Sequence, residues 1–591
     1  MLKLKILLTF FAPLILGFTA CRMEKSPALV GEKGDDSSTI TDEAAKLSIA
    51  KVLQENGDLS VEERVALYLR LKKESPNAYN FENEDEMTMY GYSLLWSGEN
   101  EEALAIFKLI VSQFPDSSNP YDSLGEAYMV LGNTEQAIAN YEKSLELNPD
   151  NFNAEDQIEL MKHPEKALEK PTDKFAKVFT AKEYREDLDQ LGNKLLEVHP
   201  NALKFITEED FWKVVEEKKS LVTDQTTYAE FNWHCTEIIA NLNCSHTSMG
   251  RFNQENEMLP LSLRFPIQVR WVNDQLFVID PLNNEKNVAI KDEILSINGV
   301  PVAEVIGDIY KHISSQGYVE TTKKHAFNTW ATGMIPFALG FPETYEVTVN
   351  GKVAPIVLNQ AESYQNLYRD PSIASCGEPL CLEMLDNNKT AILTVSSFNF
   401  YPWNNLNVFE EYIDKSFVEI TEKGVENLIV DVRFNGGGSP ESSIYLLRYL
   451  VNQPFTYSSI AGYEGKEELS ETQKPKAPFE NAFKGQCYFL IDGNGNSTTG
   501  HFMSMVKVLN LGVIVGEELG SNQFCSAGQT VCRLSNTKLQ YYVANNTHVT
   551  TATSLPDEVG ILPDHYVTQG IDDYLNKVDR VKQFTIGLIN E

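Results

Sequence analysis

The amino-acid sequence predicts a multidomain protein that joins an all-α part to an α/β part. The chain has 591 residues, which is too long for one hydrophobic core and corresponds to several domain-sized units. A helical pattern recurs with a period of 34 residues near the N-terminus. Later in the chain, buried strands run through glycine-rich turns into helices. We therefore expect helical repeats followed by a domain in which strands and helices alternate.

Composition narrows the range of partners. Hydrophobic residues make up 42% of the chain and aromatic residues 10%, which is enough for several packed cores. The formal net charge of −34 and the pI near 4.7 argue against nucleic acid or anionic membrane surfaces as partners. The cysteine spacings contain no CxxC pair, and we expect no metal and no organic cofactor.

The first 20 residues have the features of an export signal. Lys3 and Lys5 precede an apolar run that is short for a spanning helix. The sequence GFTAC resembles a bacterial lipoprotein signal, in which Cys21 is acylated and becomes the mature N-terminus. An ordinary secretory signal cleaved near Ala20 is the alternative. We expect an exported protein anchored to the bacterial cell envelope by lipid alone, with residues 21–45 as a flexible tether.

Seven cysteines follow Cys21 in the chain. In an exported protein these thiols can oxidise to disulfides. Cys376 and Cys381 are close enough in sequence for a local disulfide, and so are Cys525 and Cys532. The odd number leaves at least one thiol unpaired. Cys487, inside an apolar strand, is the candidate for it.

The helical repeat covers residues 46–160. Its tetratricopeptide signature positions include Tyr121, Gly125, Ala137 and Pro149, and 34 residues earlier Met87, Gly91, Ala103 and Pro115. Because a lone repeat cannot bury its apolar face, flanking helices at about 46–80 and 152–170 are expected to cap the stack. A groove for a peptide or protein partner and a helical spacer are both compatible with this pattern.

Three further segments lie between the repeats and the last domain. Residues 161–174 are charged, contain proline and form the predicted linker. Residues 175–255 are predicted to form amphipathic helices that end in a loop containing Ser245 and His246. Residues 256–365 are predicted to form a PDZ-like domain, with strands at 259–282 and a helix and hairpin at 325–360. In it, IKDEILSINGVPVAEVI resembles the core of a PDZ domain, a module that binds extended peptide ends by strand addition.

Within residues 366–591, one stretch places a serine between a strand and a helix. CYFLID is short enough for a buried strand, GNGN supplies turn residues, and HFMSMVKVL repeats apolar residues at helical spacing. Ser497 stands directly before the helix. It is either a helix N-cap or a nucleophile, with the N–H of Thr498 free to face a developing oxyanion.

A second stretch supplies flexible backbone. Residues 427–450 read as a buried strand that runs into three glycines and then a helix. Because glycine lacks Cβ, the backbone there can approach a ligand closely. An N–H of Gly436 or Gly437 is therefore the candidate for the second donor of an oxyanion hole, with a plain strand-to-helix turn as the alternative.

Taken in order, the motifs resemble the carboxyl-terminal processing (tail-specific) serine peptidases, whose branches include the tricorn core protease. The matching segments are NLNCSHTSM at 241–249, the strand with NGGG at 427–438, Ser497, VGEELG at 515–520 and VGILPDHYV at 559–567. The resemblance spans roughly residues 175–590. It implies that residues 366–591 form a crotonase- or ClpP-like spiral α/β catalytic domain.

The resemblance also implies roles for individual residues. Ser497 would attack the peptide carbonyl, and His246 would accept its proton. Tail-specific enzymes proper use a lysine after the G-E-x-x-G stretch, where this chain has Ser521. The tricorn-like branch uses histidine preceded by serine, and Ser245-His246 matches that pattern.

In the tricorn-like branch a carboxylate just before the closing motif orients the histidine, and the serine before the histidine, here Ser245, assists. Asp557 and Glu558 both lie at that place, and the register favours Asp557. The family often has a glutamate where this chain has Gly500. We expect that departure to alter substrate positioning or to abolish activity.

The predicted function is a serine endopeptidase of the cell envelope that uses a Ser-His-acid arrangement. Its substrates would be peptides or unfolded proteins, and its repeats would offer a surface to a protein partner. Two alternatives remain open at this stage: a non-catalytic ligand-binding protein on the same fold, and a scaffold whose repeats recruit partners.

Overall fold

The computed structural model describes residues 46–165, 170–373, 376–385, 389–400, 406–460 and 469–591. The predicted signal at 1–20, the lipidation at Cys21 and the tether at 21–45 lie outside the described residues. Within the described part, none of the helices has the length and apolar character needed to cross a membrane.

Seven helices form the N-terminal stack. They are α1 (Ile49–Glu55), α2 (Val61–Glu74), α3 (Glu84–Trp96), α4 (Asn100–Gln113), α5 (Ser118–Val130), α6 (Thr134–Leu147) and α7 (Phe152–Lys162). The pairs α3–α4 and α5–α6 are the two predicted repeats. A Cβ at Gly91 would lie 2.6 Å from the Phe107 ring, and one at Gly125 would lie 3.0 Å from the Tyr141 ring, so both repeats use glycine where their helices touch.

Four helices follow the linker: α8 (Ala181–Val198), α9 (Glu208–Leu221), α10 (Tyr228–Ala240) and α11 (Asn253–Met258). Residues of α8, α9 and α10 share one hydrophobic core with the sheet that follows. The loop between α10 and α11 contains Ser245 and His246, as predicted. Its position is therefore fixed by a packed helical subdomain.

The first sheet is antiparallel throughout. Its strands are β1 (Gln268–Val272), β2 (Gln275–Asp280), β3 (Glu293–Ile297), β4 (Val300–Pro301), β5 (Glu346–Val349) and β6 (Ile356–Val357). The order is β1-β2-β3-β5-β6, with β4 paired to β3. Two helices accompany the sheet, α12 (Val302–Lys311) and α13 (Thr321–Ala338).

The second sheet has the order β16-β11-β10-β9-β8-β7. Its strands are β7 (Leu380–Met384), β8 (Thr390–Val395), β9 (Asn427–Asp431), β10 (Gln486–Ile491), β11 (Val513–Gly516) and β16 (His565–Tyr566). All neighbours are parallel except β7 and β8. Because parallel strands end at one edge, the turns after β9 and β10 meet there.

Five helices belong to this domain: α14 (Leu406–Glu422), α15 (Pro440–Leu450), α16 (Thr498–Val508), α17 (Ile571–Leu575) and α18 (Arg580–Asn590). Apolar residues of α14, α15 and α16 pack on one face of the sheet. Residues of α18 pack on the other face. Two covered faces explain why the central strands are almost wholly buried, as expected of a parallel sheet.

Two short ribbons connect this domain to the helical subdomain. They pair β12 (Phe524–Ala527) with β15 (Asn546–Val549), and β13 (Thr530–Arg533) with β14 (Gln540–Val543). The backbone of Ser248, next to the His246 loop, bridges to Tyr542 of β14. The ribbons thereby bring residues of the helical subdomain close to the domain that contains the second sheet.

The cysteine predictions have mixed outcomes. Cys376 and Cys381 form the predicted disulfide. Cys525 and Cys532 do not, because they lie on different ribbons, β12 and β13, and both are buried free thiols. Cys487 is a buried free thiol as predicted.

Candidate active site

Ser497 stands at the turn between β10 and α16 in a conformation rare for a residue with a side chain. Its φ is 53° and its ψ is −124°. Such backbone strain persists only where the surrounding structure imposes it, and it is characteristic of nucleophiles on sharp strand-to-helix turns. The Ser497 side chain makes no capping hydrogen bond to α16. The helix-cap alternative therefore does not describe this serine.

Hydrogen bonds lock the turn after β10 to the turn after β9. The buried carboxylate of Asp492 accepts from the N–H groups of Phe434 and Asn494, each at 3.1 Å. Burial raises the pKa of Asp492. The Thr499 hydroxyl donates to the Asn435 carbonyl at 2.8 Å, and the Thr498 hydroxyl donates to the Gly438 carbonyl at 2.5 Å. These bonds hold both turns in one arrangement.

The glycine turn lies directly against Ser497. A Cβ at Gly437, where φ is +104°, would lie 2.7 Å from the Ser497 Cβ and 3.0 Å from the Thr498 nitrogen. The Gly437 N–H donates to the Asn435 side chain at 2.9 Å. Within the described ranges, the N–H groups of Gly436 and Thr498 have no hydrogen-bond acceptor. Of the two predicted glycine donors, Gly436 is the one left available.

His246 is half-buried beside this turn. Its Nδ1 lies 3.2 Å from the Ser245 hydroxyl, which donates to the Asn496 side chain at 3.0 Å. The Gln529 amide donates to the His246 carbonyl at 2.6 Å and fixes the loop. Burial, together with the nearby charge of Arg251, lowers the pKa of His246 to about 3. The imidazole is therefore neutral near pH 7, the form that can accept a proton.

A thiol lies beside both His246 and Ser497. The Cys525 sulfur is 3.5 Å from Nδ1 and 4.0 Å from Nε2 of His246. Burial raises the pKa of Cys525, although a hydrogen bond with the Ser497 side chain opposes that shift. In the described structure no direct hydrogen bond joins Ser497 to His246. Catalytic hydrogen bonds often form only when substrate binds.

The structure does not bring the predicted carboxylates to His246. Asp557 forms an ion pair with Lys204 at 2.6 Å, and its other oxygen accepts from the Gln523 amide. The Glu558 side chain is exposed. Neither carboxylate contacts His246 in the part of the chain that the structure describes. The contacts of Asp557 differ from the prediction because a cation of the helical subdomain holds it.

The departure at Gly500 has a steric explanation. A Cβ there would lie 2.5 Å from the Ser521 hydroxyl oxygen and 2.7 Å from the Asn522 nitrogen. Gly500 and Ser521 are both buried. Ser521, at the position where tail-specific enzymes have lysine, thus packs against α16, and no side chain fits at Gly500.

Glu517 connects helix α13, which accompanies the first sheet, to the turn between β10 and α16 that contains Ser497. It forms ion pairs with Lys324 and His325 of α13, and it accepts from the Gly493 N–H at 3.4 Å. Burial alone would raise the pKa of Glu517, but the charges of His325 and Lys324 lower it well below the ordinary carboxyl range. The charged form of Glu517 therefore holds α13 against the turn.

A strained serine, a neutral histidine and two free N–H groups are parts that a serine hydrolase site uses. Residues 389–567 match the family model described as Peptidase family S41. Residues 87–117 and 123–151 match tetratricopeptide repeat models. The chain carries an S41 peptidase domain together with tetratricopeptide repeats, and it is a serine-type peptidase.

Several solved structures are similar to this chain. A putative peptidase from Parabacteroides merdae ATCC 43184 is 14% identical, with 68% of this chain and 96% of that chain covered and a TM-score of 0.38. Mature CPAF complexed with lactacystin is 14% identical, with 69% and 99% covered and a TM-score of 0.47. The photosystem II D1 C-terminal processing protease is 13% identical, with 66% and 96% covered and a TM-score of 0.31. No curated protein sequence matches the chain.

Sequence reasoning missed three residues of the site. Asn496 was counted only as a turn residue, although it directly precedes Ser497. The sequence indicates Cys525 only as a possible disulfide partner, and Gln529 lies in no recognised motif. The position of Asn496 next to the nucleophile was the one signal available from the sequence.

Proposed function

We propose that this chain is an endopeptidase in which Ser497 is the nucleophile and His246 the general base. The observation that carries the proposal is the conformation of Ser497, held at positive φ at the amino end of α16. The N–H groups of Thr498, next to Ser497, and of Gly436, next to Gly437, have no acceptor in the described structure, and the imidazole of His246 is neutral. These are the parts that acyl transfer to water requires.

The reaction follows from this geometry. His246 accepts the proton of the Ser497 hydroxyl while Oγ attacks the substrate carbonyl, and the C=O electrons move to oxygen. The N–H groups of Thr498 and Gly436 stabilise the resulting oxyanion, and losing one such donor typically costs about 10²–10³-fold in turnover. The imidazolium then protonates the leaving amine. Water attacks the acyl-enzyme by the same route and regenerates Ser497.

The predicted Ser-His-acid arrangement is proposed here in a modified form. Ser245 contacts His246, whereas Asp557 is paired with Lys204 and Glu558 is exposed. We assign the orienting role to Ser245 for that reason. A role for either acid would require a rearrangement when substrate binds.

The modules around the site support a peptide substrate. The antiparallel sheet β1–β6 fits the predicted PDZ-like module, which would bind an extended segment along a strand edge. Its helix α13 reaches the nucleophile turn through Glu517. The substrates would be unfolded or carboxyl-terminal segments of envelope proteins, or oligopeptides. We further propose export, a lipid anchor at Cys21, and a protein partner for the helical repeats.

The test is hydrolysis of casein and of a peptide library by protein that begins at residue 22. Ser497→Ala and His246→Ala should abolish cleavage. Ser521→Ala is the matched control, because this buried serine packs against α16 outside the proposed machinery, and it should retain activity. If folded wild-type protein cleaves nothing and a fluorophosphonate probe does not label Ser497, the non-catalytic alternative replaces the proposal.

A further inference from the structure

We propose that Asn496 is a positioning residue that fixes the tautomer of His246 through Ser245. The inference rests on the proposed function, in which His246 removes the proton of Ser497. It assigns to an uncharged amide the task that a carboxylate performs in a Ser-His-Asp site. Three hydrogen bonds carry the argument.

The orientation of the Asn496 amide follows from its first partner. The Ser497 N–H can only donate, and it lies 2.8 Å from one end of the Asn496 side chain. The atom at that end must therefore be the oxygen Oδ1. Amide orientations are assigned from such networks, and a backbone N–H settles this one.

The same oxygen determines the direction of the Ser245 hydroxyl. Oδ1 of Asn496 lies 3.0 Å from the Ser245 Oγ. Since an amide oxygen carries no hydrogen, Ser245 must donate its single proton to Asn496. The lone pairs of Ser245 are then left for another donor.

That donor is His246. Its Nδ1 lies 3.2 Å from the Ser245 Oγ, whose proton is already committed to Asn496. A hydrogen bond between them therefore requires that Nδ1 carry the proton of the neutral imidazole. Nε2 is then unprotonated and presents the lone pair that a general base needs.

Among the residues that the structure describes, no carboxylate contacts His246 or is a cause of its pKa shift. The ionisable groups that act on it or lie beside it are Cys525 on β12, His548 on β15, His199 after α8, His501 on α16 and Arg251 in the same loop. These are thiol, imidazole and guanidinium groups. The pKa of the Cys525 thiol is raised by burial, so it is neutral and provides no charge near pH 7. Nδ1 lies 3.2 Å from Ser245 and 3.5 Å from the Cys525 sulfur, and the orienting role is assigned to Ser245 because Asn496 fixes the direction of its hydroxyl.

The experiment compares Asn496→Leu, which removes the acceptor, with Asn496→Asp, which keeps it and adds a charge. We measure kcat, KM and their pH dependence on one peptide substrate, together with Ser245→Ala and the double variant Ser245→Ala/Asn496→Leu. Asn193→Leu and Asn193→Asp, at an exposed position on α8, are matched controls and should behave as wild type.

We expect Asn496→Leu and Ser245→Ala each to lower kcat by about 10- to 100-fold with little change in KM, because the base is misoriented rather than the substrate site damaged. The double variant should be no worse than either single variant, since both break one chain of hydrogen bonds. Asn496→Asp should retain activity, and the acidic limb of its kcat/KM profile should move to higher pH because the new carboxylate favours the imidazolium.

Three results would overturn the inference: wild-type kcat in Asn496→Leu, additive losses in the double variant, or an acidic limb that does not move in Asn496→Asp. If Asn496→Leu fails to fold, the pH profile of Asn496→Asp and the kcat of Ser245→Ala still test whether Asn496 acts on His246 through Ser245. Failure of the proposed function looks different, because Ser497→Ala and His246→Ala would then match wild type. If those two are inactive while all Asn496 variants resemble wild type, this inference alone fails.

Discussion

A Cβ placed on Gly437 would lie 2.7 Å from the Cβ of Ser497, the proposed nucleophile. Real Cβ atoms do not approach so closely, and φ at Gly437 is +104°, which a residue with a side chain rarely adopts. The glycine turn and the serine turn are therefore built to fit each other. The position of the Ser497 hydroxyl depends on a residue 60 positions earlier in the chain.

The first prediction concerns this contact. Gly437→Ala should displace Ser497 and lower kcat by about 100-fold or more, because small misplacements of reacting groups are costly. Rates of labelling by a fluorophosphonate, with peptide turnover, measure the effect. Gly307→Ala in α12 is the control, since a Cβ there meets nothing within 4 Å. Equal activity of the two variants would show that the contact does not position the nucleophile.

The second prediction concerns pH. Burial lowers the pKa of His246 to about 3, so the ring stays unprotonated well below neutral pH. We expect kcat/KM to be level from about pH 7 to about pH 5, because that ratio reports the free enzyme. A loss of activity centred on the ordinary imidazole pKa of about 6.5 would contradict this environment for His246.

The third prediction separates an orienting acid from a structural one. Asp557 and Lys204 are each about 30% exposed and lie 2.6 Å apart, so their pair should contribute about 1 kcal/mol or less. We expect Asp557→Ala and Lys204→Ala to cause similar small losses of stability and to leave kcat within a few-fold. Urea unfolding and steady-state kinetics measure both. A loss of about 10³-fold in kcat for Asp557→Ala alone would restore the acid to the site.

The fourth prediction concerns Gly500. Because a Cβ there would lie 2.5 Å from the Ser521 hydroxyl oxygen, Gly500→Ala should destabilise the fold by about 1–3 kcal/mol through overpacking. Gly500→Glu, which introduces the acid common in the family, should be worse and should not raise activity. Gly587→Ala in α18 is the control, since its Cβ would meet nothing within 4 Å. Stable, more active Gly500→Glu protein would refute the steric account.

The sequence was informative where the signal is local and silent where it depends on packing. The strand, turn and helix around Ser497, the three glycines and the Ser245-His246 loop all follow from short patterns. The hydrogen bond between Ser245 and Asn496 joins residues 251 positions apart, and no periodicity encodes it. The contact of Cys525 with His246 spans 279 positions.

The same dependence on packing explains why the predicted role of Asp557 and the predicted Cys525–Cys532 disulfide differ from the structure. The register near the closing motif pointed to Asp557, but the nearby cation that holds it, Lys204, belongs to another subdomain. Cys525 and Cys532 are close in sequence yet lie on separate ribbons. Motif spacing identifies candidate residues, whereas their partners are chosen by the tertiary fold.

The last prediction concerns Glu517, which ties α13 to the nucleophile turn through Lys324 and His325. Its pKa is lowered in the folded state, so its contribution to stability is complete above the carboxyl pKa of the unfolded chain, about 4.3, and is lost as the pH falls from there toward the folded value. Glu517→Gln should therefore lower the free energy of unfolding near pH 7 by about 2–4 kcal/mol, because it leaves a partly buried cation unpaired. The difference from wild type should shrink as the pH falls below about 4.

Glu471→Gln provides the matched control. Glu471 also has two ion-pair partners, Lys474 at 2.6 Å and Lys476 at 3.1 Å, but it is an exposed carboxylate. An exposed pair of this kind should contribute less than about 1 kcal/mol. Urea unfolding of the three proteins across this pH range measures the effect. If Glu517→Gln is as stable as Glu471→Gln near pH 7, the ion pairs do not hold α13 in place. If it is destabilised and its kcat also falls, the contact between α13 and the Gly493 turn supports the nucleophile as well as the fold.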